Sequence, residues 1–245
     1  MKYWTKSWNT VYGCTKVRAG CLNCWALEMS KRICLAEGIV EGGNWTGKVI
    51  YKPERIEMPL KWKKPQIVAV NWMSDTFHEN LPNLWFTLLP IMQATPQHTY
   101  LILTKRYDAL TEYLYRDDAR DNIYIGVTIS SSEDANDAFV PVDYAHSAGW
   151  KTWVSYEPAL EKVDWTSFGN IIDGMVCGAE SGRYRRTMPI EAAIGARDFC
   201  YRYNIPFTFK QGNNGEQTLN RAGNYEFPRE RIVLLGDMQS QQSMI

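Results

Sequence analysis

Six short β-rich runs recur along the chain, at Ile67 to Asn71, Thr99 to Leu103, Ile123 to Val127, Thr152 to Ser155, Gly174 to Cys177 and Pro206 to Phe209. Each is nearly continuous in apolar residues rather than alternating, the pattern of strands buried on both faces. Helix-like stretches separate them: "LPNLWFTLLPIMQ", with Pro82 placed for a first helical turn, "YDALTEYLY", "SSEDANDAFVPVDYAHSA", and "PIEAAIGARDFCYRY", with Pro189 at its start and Glu191 in its first turn. Strand and helix alternating this often imply parallel crossovers. The pattern predicts one α/β domain over residues 1–236, a partial (β/α) TIM-like barrel of about six to seven parallel strands, with 237–245 a disordered tail. An open doubly wound sheet is the rival.

A barrel collects its functional side chains just after the strands, at their carboxyl ends. The sequence puts there Ser74 and Asp75 with His78, then Lys105 and Arg106, Ser130, Glu157, Gly178 with Glu180, and Lys210. The "SWNTVY" run would deliver Cys14 in the same way. Ordinary loop polarity accounts for part of this set. His78 in "DTFHEN" serves equally well as an acid or base and as a cap for the following helix.

Composition adds limits. A chain of 245 residues, 45% hydrophobic and 13% aromatic, can bury a sizeable core. Lys plus Arg and Asp plus Glu both number 27, so no overall field draws the protein to polyanions. Contact with nucleic acid would need a local patch, for which the Lys61 to Lys64 run and Arg183, Arg185 and Arg186 are the candidates, although such runs are more often solvated faces. No apolar run is long enough for a membrane span, and the start "MKYWTKSWNT" lacks an apolar signal core, so a cytoplasmic protein with no membrane partner is expected.

The cysteines change the picture most. Cys14, Cys21 and Cys24 fall within eleven residues, a clustering that favours reduced metal ligands over disulfides. Cys177 and Cys200 lie in apolar settings and read as small buried hydrophobes. With Cys34 as a fourth ligand the trio makes a zinc site, and the protein a nucleic-acid-binding module. Without a fourth ligand it holds a [4Fe–4S] cluster that keeps one iron open for a chelating cofactor. A third reading makes the cysteines structural and gives Asp75, His78, Glu157 and Glu180 a hard metal ion for hydrolysis.

The stretches "SWNTVYGCTKVRAGCLNCWALEM", "PLKWKKPQIVAVNWMSDTFHENLP", "PQHTYLILTKR", "IYIGVTISS", "VSYEPAL", "GMVCGAESG" and "IPFTFKQ" together resemble the three-cysteine radical-SAM-like family of phages and mobile elements, long carried as a family of unknown function. The resemblance implies a radical SAM partial barrel with a [4Fe–4S] cluster on Cys14, Cys21 and Cys24, and S-adenosylmethionine chelating the fourth iron to give a 5′-deoxyadenosyl radical. It implies that the Met73–Asp75 loop receives the methionine amino group and Lys105 or Arg106 its carboxylate. Ser130 or Glu157 would bind ribose, Gly178 would approach adenine, and the catalytic set would be Asp75, His78, Lys105, Glu157 and Glu180. The phage setting implies an isomerase of amino-acid-modified thymidine in DNA hypermodification, working in the infected host's cytoplasm. Its partners would be modified DNA or nucleotide, held by Arg183, Arg185, Arg186 and Lys210, and an electron donor such as flavodoxin or ferredoxin. One departure stands out. Common radical SAM enzymes space their cysteines C-x3-C-x2-C with an aromatic residue before the last, whereas this chain has C-x6-C-x2-C with Asn23 there and Trp25 just after.

Overall fold

The computed structural model describes residues 3–33, 37–182 and 184–214. Cys34, Arg183 and the tail 237–245 lie outside the described residues. Seven strands build one parallel sheet: β1 (Lys6–Trp8), β2 (Ile67–Val70), β3 (Thr99–Thr104), β4 (Ile123–Thr128), β5 (Lys151–Tyr156), β6 (Met175–Gly178) and β7 (Phe207–Gln211). They lie side by side in chain order, and every neighbouring pair is parallel. That order rules out the doubly wound rival, whose strand sequence reverses at a switch point. Among the described residues β1 and β7 do not pair, so the barrel is partial, as expected.

Helix α1 (Trp25–Ile33) lies between β1 and β2, α2 (Leu84–Gln93) follows β2, α3 (Ala109–Tyr113) follows β3, α4 (Ser132–Ser147) follows β4 and α5 (Ile190–Arg202) follows β6. Ser131 caps α4, its hydroxyl accepting from the Asp134 N–H. Three expectations need adjustment. The "SWNTVY" run splits: Lys6–Trp8 enters the sheet, while Val11–Tyr12 turns away to pair antiparallel with Ile50–Tyr51. Pro82 stays outside α2, because turns closed by the N–H groups of His78, Leu81 and Leu84 carry the chain from Asp75 before the helix begins. "YDALTEYLY" yields a helix of just five residues, since Leu114 is already extended.

The helices pack aliphatic and aromatic residues on the outer face of the sheet, in a core that includes Trp85, Leu88, Ile125 and Val127. The inner face is aromatic. Trp153 and Trp72 donate their indole N–H groups to the carbonyls of Ile102 and Leu101, each at 3.1 Å, and Tyr3 packs on both rings. Gly126 on β4 makes this possible, for a Cβ there would sit 2.3 Å from the Trp153 indole and 2.7 Å from the Ile102 carbonyl oxygen. Neither neighbour can retreat within a packed sheet. Gly126→Ala is therefore expected to destabilise the protein by about 1–3 kcal/mol, read as a lower urea midpoint.

Candidate functional site

The chain segments that leave the carboxyl ends of the strands enclose a cavity of about 310 Å³. Cys14, Cys21 and Cys24 line it, together with Ser74, Asp75, Lys105, Arg106, Glu157, Glu180 and Lys210. Tyr3 and Gln211, 208 positions apart in the chain, face the same space. The three cysteines are free thiols.

Side chains, rather than a strand ladder, hold the cysteine loop over the sheet. Arg106 is the main tie: its Nη1 donates to Asp75 Oδ2 at 3.1 Å and lies 3.8 Å from Cys14 Sγ, its Nη2 donates to Thr15 Oγ1 at 2.6 Å, and its Nε donates to Glu79 Oε2 at 2.8 Å. The buried Asp75 also accepts from Thr104 Oγ1 and from the N–H groups of Phe77 and Lys105. A second tie is Arg18, which lies 3.8 Å over the Tyr107 ring, donates to the Lys105 carbonyl and pairs with Asp134 and Asp137. The third is Asn23, whose amide donates to Glu180 Oε2 at 2.8 Å and to the Tyr184 carbonyl at 2.9 Å. Gly20 presses close to the sheet, where a Cβ would stand 2.5 Å from Ser130 Oγ. That hydroxyl is buried and has no partner among the described residues.

Electrostatics follow from these ties. Burial pushes the Cys14 thiol up to about 12, the Asp75 charge adds to this, and the Arg106 charge opposes it. Burial resists ionisation of Glu79, but hydrogen bonds from Arg106, its own backbone N–H and Thr15 hold its carboxyl down at about 2. Burial likewise resists ionisation of Glu180, yet Arg186 and Asn23 keep its carboxyl below the ordinary value. His78 is pushed towards its neutral form by burial first and by the Arg106 charge next. Its Nδ1 accepts the Asn80 N–H at 3.2 Å, so the proton sits on Nε2, 3.4 Å from Thr15 Oγ1.

The expected residues therefore divide. Cys14, Cys21, Cys24, Ser74, Asp75, Lys105, Arg106, Glu157, Glu180 and Lys210 reach the cavity; Met73, His78, Ser130, Gly178, Arg185 and Arg186 do not line it. The Met73 side chain packs with Tyr12, Leu27 and Ile39, and His78 caps no helix but accepts the Asn80 N–H within a turn and tethers the cysteine loop through Thr15. Gly178 leaves room for Glu157, whose Oε1 would lie 2.7 Å from a Cβ there. Arg186 is committed to Glu180 through both its backbone N–H and its guanidinium. The Lys61 to Lys64 run precedes β2, at the end of the sheet away from the cavity. Thr15, Arg18, Asn23, Glu79, Tyr3 and Trp4 are the participants that local reading missed, because their partners are distant in sequence. Among the described residues no three His, Cys, Asp or Glu side chains converge on a point that one metal ion could share. Asp75, His78, Glu157 and Glu180 thus do not form the hard-metal site of the hydrolase reading.

A partial (β/α) barrel capped by a three-cysteine loop is the class that this fold and site define. Residues 1–233 match the family described as protein of unknown function (DUF5131), and the chain belongs to that family. A mutant of spore photoproduct lyase is similar in structure, with a TM-score of 0.50 at 12% identity over 80% of this chain and 72% of that one. A double mutant of the same lyase, with bound AdoMet and dinucleoside spore photoproduct, gives a TM-score of 0.49 at 12% identity over the same shares. At that identity the likeness is one of fold. No curated protein matches the chain.

The depressed Glu79 carboxyl makes a pH prediction. A lowered folded-state value means that the contribution is present above the ordinary carboxylate value of 4.5 and is lost as pH falls towards about 2. Acid unfolding curves of the wild type and Glu79→Gln should differ near neutral pH and draw together across that window.

Proposed function

We propose that the chain is a radical S-adenosylmethionine enzyme with a [4Fe–4S] cluster on Cys14, Cys21 and Cys24. One observation carries the reading: three free thiols, and no fourth among the described residues, line a single cavity at the carboxyl ends of the strands. A structural zinc takes four protein ligands. A [4Fe–4S] cluster can be held by three thiolates, each on a different iron, and a donor set of three cysteines around one cavity fits it. Three protein ligands leave one iron for the amino and carboxylate groups of S-adenosylmethionine. When bound, the pair supplies removal of a hydrogen atom from an unactivated carbon.

The chain's own residues would bind, orient and enclose. Lys105 suits the methionine carboxylate, because among the described cavity-lining cations Arg106 is paired with Asp75 and Lys210 with Glu157, whereas Lys105 makes no ion pair. Arg106 supports Cys14 from behind. The rings of Tyr3, Trp4 and Trp72 floor the cavity and exclude water from the reacting carbon.

For the reaction itself, the family resemblance supports an isomerase acting on an amino-acid-modified thymidine in phage DNA, with the electron drawn from a flavodoxin or ferredoxin of the host. A base in a duplex must be flipped out to enter such a cavity. The exposed Tyr184 and Arg185 stand on the loop after β6 to meet the strand.

Anaerobic reconstitution with iron and sulfide tests the reading. About four irons per chain and a spectrum perturbed by S-adenosylmethionine are expected. Cys14→Ala, Cys21→Ala and Cys24→Ala should each lose the cluster, while Cys200→Ala, buried against Met175 far from the loop, should keep it. Lys105→Ala should retain the iron and weaken S-adenosylmethionine binding by about tenfold. One tightly bound zinc in place of iron would overturn the proposal. A product of unchanged mass and altered chromatographic retention, from DNA carrying the modified thymidine, tests the isomerase step.

A further inference from the structure

The cavity has two polar ends. Cys14, Ser74, Asp75, Lys105 and Arg106 follow β1, β2 and β3, whereas Glu157 follows β5 and Lys210 lies within β7. Since the strands run in chain order across the sheet, the second group faces the first from the opposite side. Lys210 Nζ forms an ion pair with Glu157 Oε1 at 3.0 Å, and that buried oxygen has no hydrogen-bond partner among the described residues. Gly178 provides the hollow that Oε1 occupies. Beside Glu157 lies the Tyr3 phenol, kept un-ionised by burial first and by the Glu157 charge next. Tyr3 continues into a wall of rings, 5.2 Å from Trp4 and 5.6 Å from Trp72. Thr128 lines the same cavity at 2% exposure, with its hydroxyl unpartnered.

A carboxylate acceptor and an ammonium donor thus stand side by side, next to flat apolar faces and a buried hydroxyl that lacks a partner. Their complement is a planar ring carrying an N–H beside a C=O. We infer that Glu157 and Lys210 read the N3–H and C4=O edge of a thymine or uracil base. The choice of a pyrimidine rests on the function proposed above. Cytosine presents a bare ring nitrogen beside an amino group, which would set acceptor against carboxylate and donor against ammonium. Such a mismatch leaves buried polar groups unpaired, the condition under which a site rejects an analogue strongly. In this arrangement Glu157 and Lys210 belong to the substrate end of the cavity, and the adenosyl cofactor keeps to the cysteine end.

Binding of thymidine monophosphate and of deoxycytidine monophosphate to the anaerobically prepared full chain, with saturating S-adenosylmethionine, provides the test. Tryptophan fluorescence reports it, because Trp4 and Trp72 line the cavity. The wild type should prefer the thymidine nucleotide by about tenfold or more. Glu157→Ala should bring the ratio close to one. Glu157→Gln, which keeps the shape of the side chain, should do so as well, because its amide can turn to serve either base. Equal binding by the wild type, a preference that survives in both variants, or competition between S-adenosylmethionine and the thymidine nucleotide would overturn the inference. Cluster absorbance of the same preparation separates the two claims: a thymidine preference without a cluster would remove the cofactor reading and leave base recognition standing.

Discussion

Everything at the barrel mouth hangs on the buried guanidinium of Arg106. The loop that carries Cys14, Cys21 and Cys24 joins the seven-stranded sheet through no ladder of its own, so side chains must fix its height above the cavity. Arg106 does this by binding Asp75 beneath it and Thr15 above it at once. Asp75 also accepts from Thr104 and two backbone N–H groups, and an unpaired charge at its depth would be costly. The loop, the charge and the second strand therefore hold one another. Arg18 and Asn23 repeat the device further along the loop, the first on α4 and the second on the segment after β6.

This arrangement bears on the unusual cysteine spacing. Six residues separate Cys14 from Cys21, and within them lie Thr15 and Arg18, the two residues that grip Arg106, Asp134 and Asp137. The longer interval is what lets the loop reach two anchor points between its first and second thiols. Asn23 takes the position before the last cysteine for a similar reason. An aromatic ring there could not donate to both Glu180 and the Tyr184 carbonyl.

Much of the scaffold was legible along the chain. The runs at Ile67, Thr99 and Ile123 read as strands because burial on both faces leaves no polar position to disguise them, and Ser131 marks the start of α4 by its chemistry. The cysteines were legible from spacing, and their shared cavity followed from the barrel. Their anchors were not. Arg18 with Asp137 spans 119 residues and Asn23 with Glu180 spans 157, and such pairs leave no periodicity and no local composition. Arg186 looked like a phosphate ligand because its neighbours are basic, yet its backbone N–H, Nε and Nη2 all donate to the nearby Glu180. The Lys61 to Lys64 run stands before a strand, at its amino end, which agrees with a solvated face away from the cavity.

The fit of Trp153 into the hollow above Gly126 also bears on how this family can diverge. An indole at the centre of a partial barrel and a missing side chain on the neighbouring strand form a single choice written at two places. Shrinking the ring would open a void that any residue larger than glycine at 126 would begin to refill, and enlarging position 126 first would evict the ring. Evolutionary drift through either change alone passes through a less stable protein, so the two positions should move as a pair or stay fixed, and the Ile102 carbonyl would have to find a new donor in the same step.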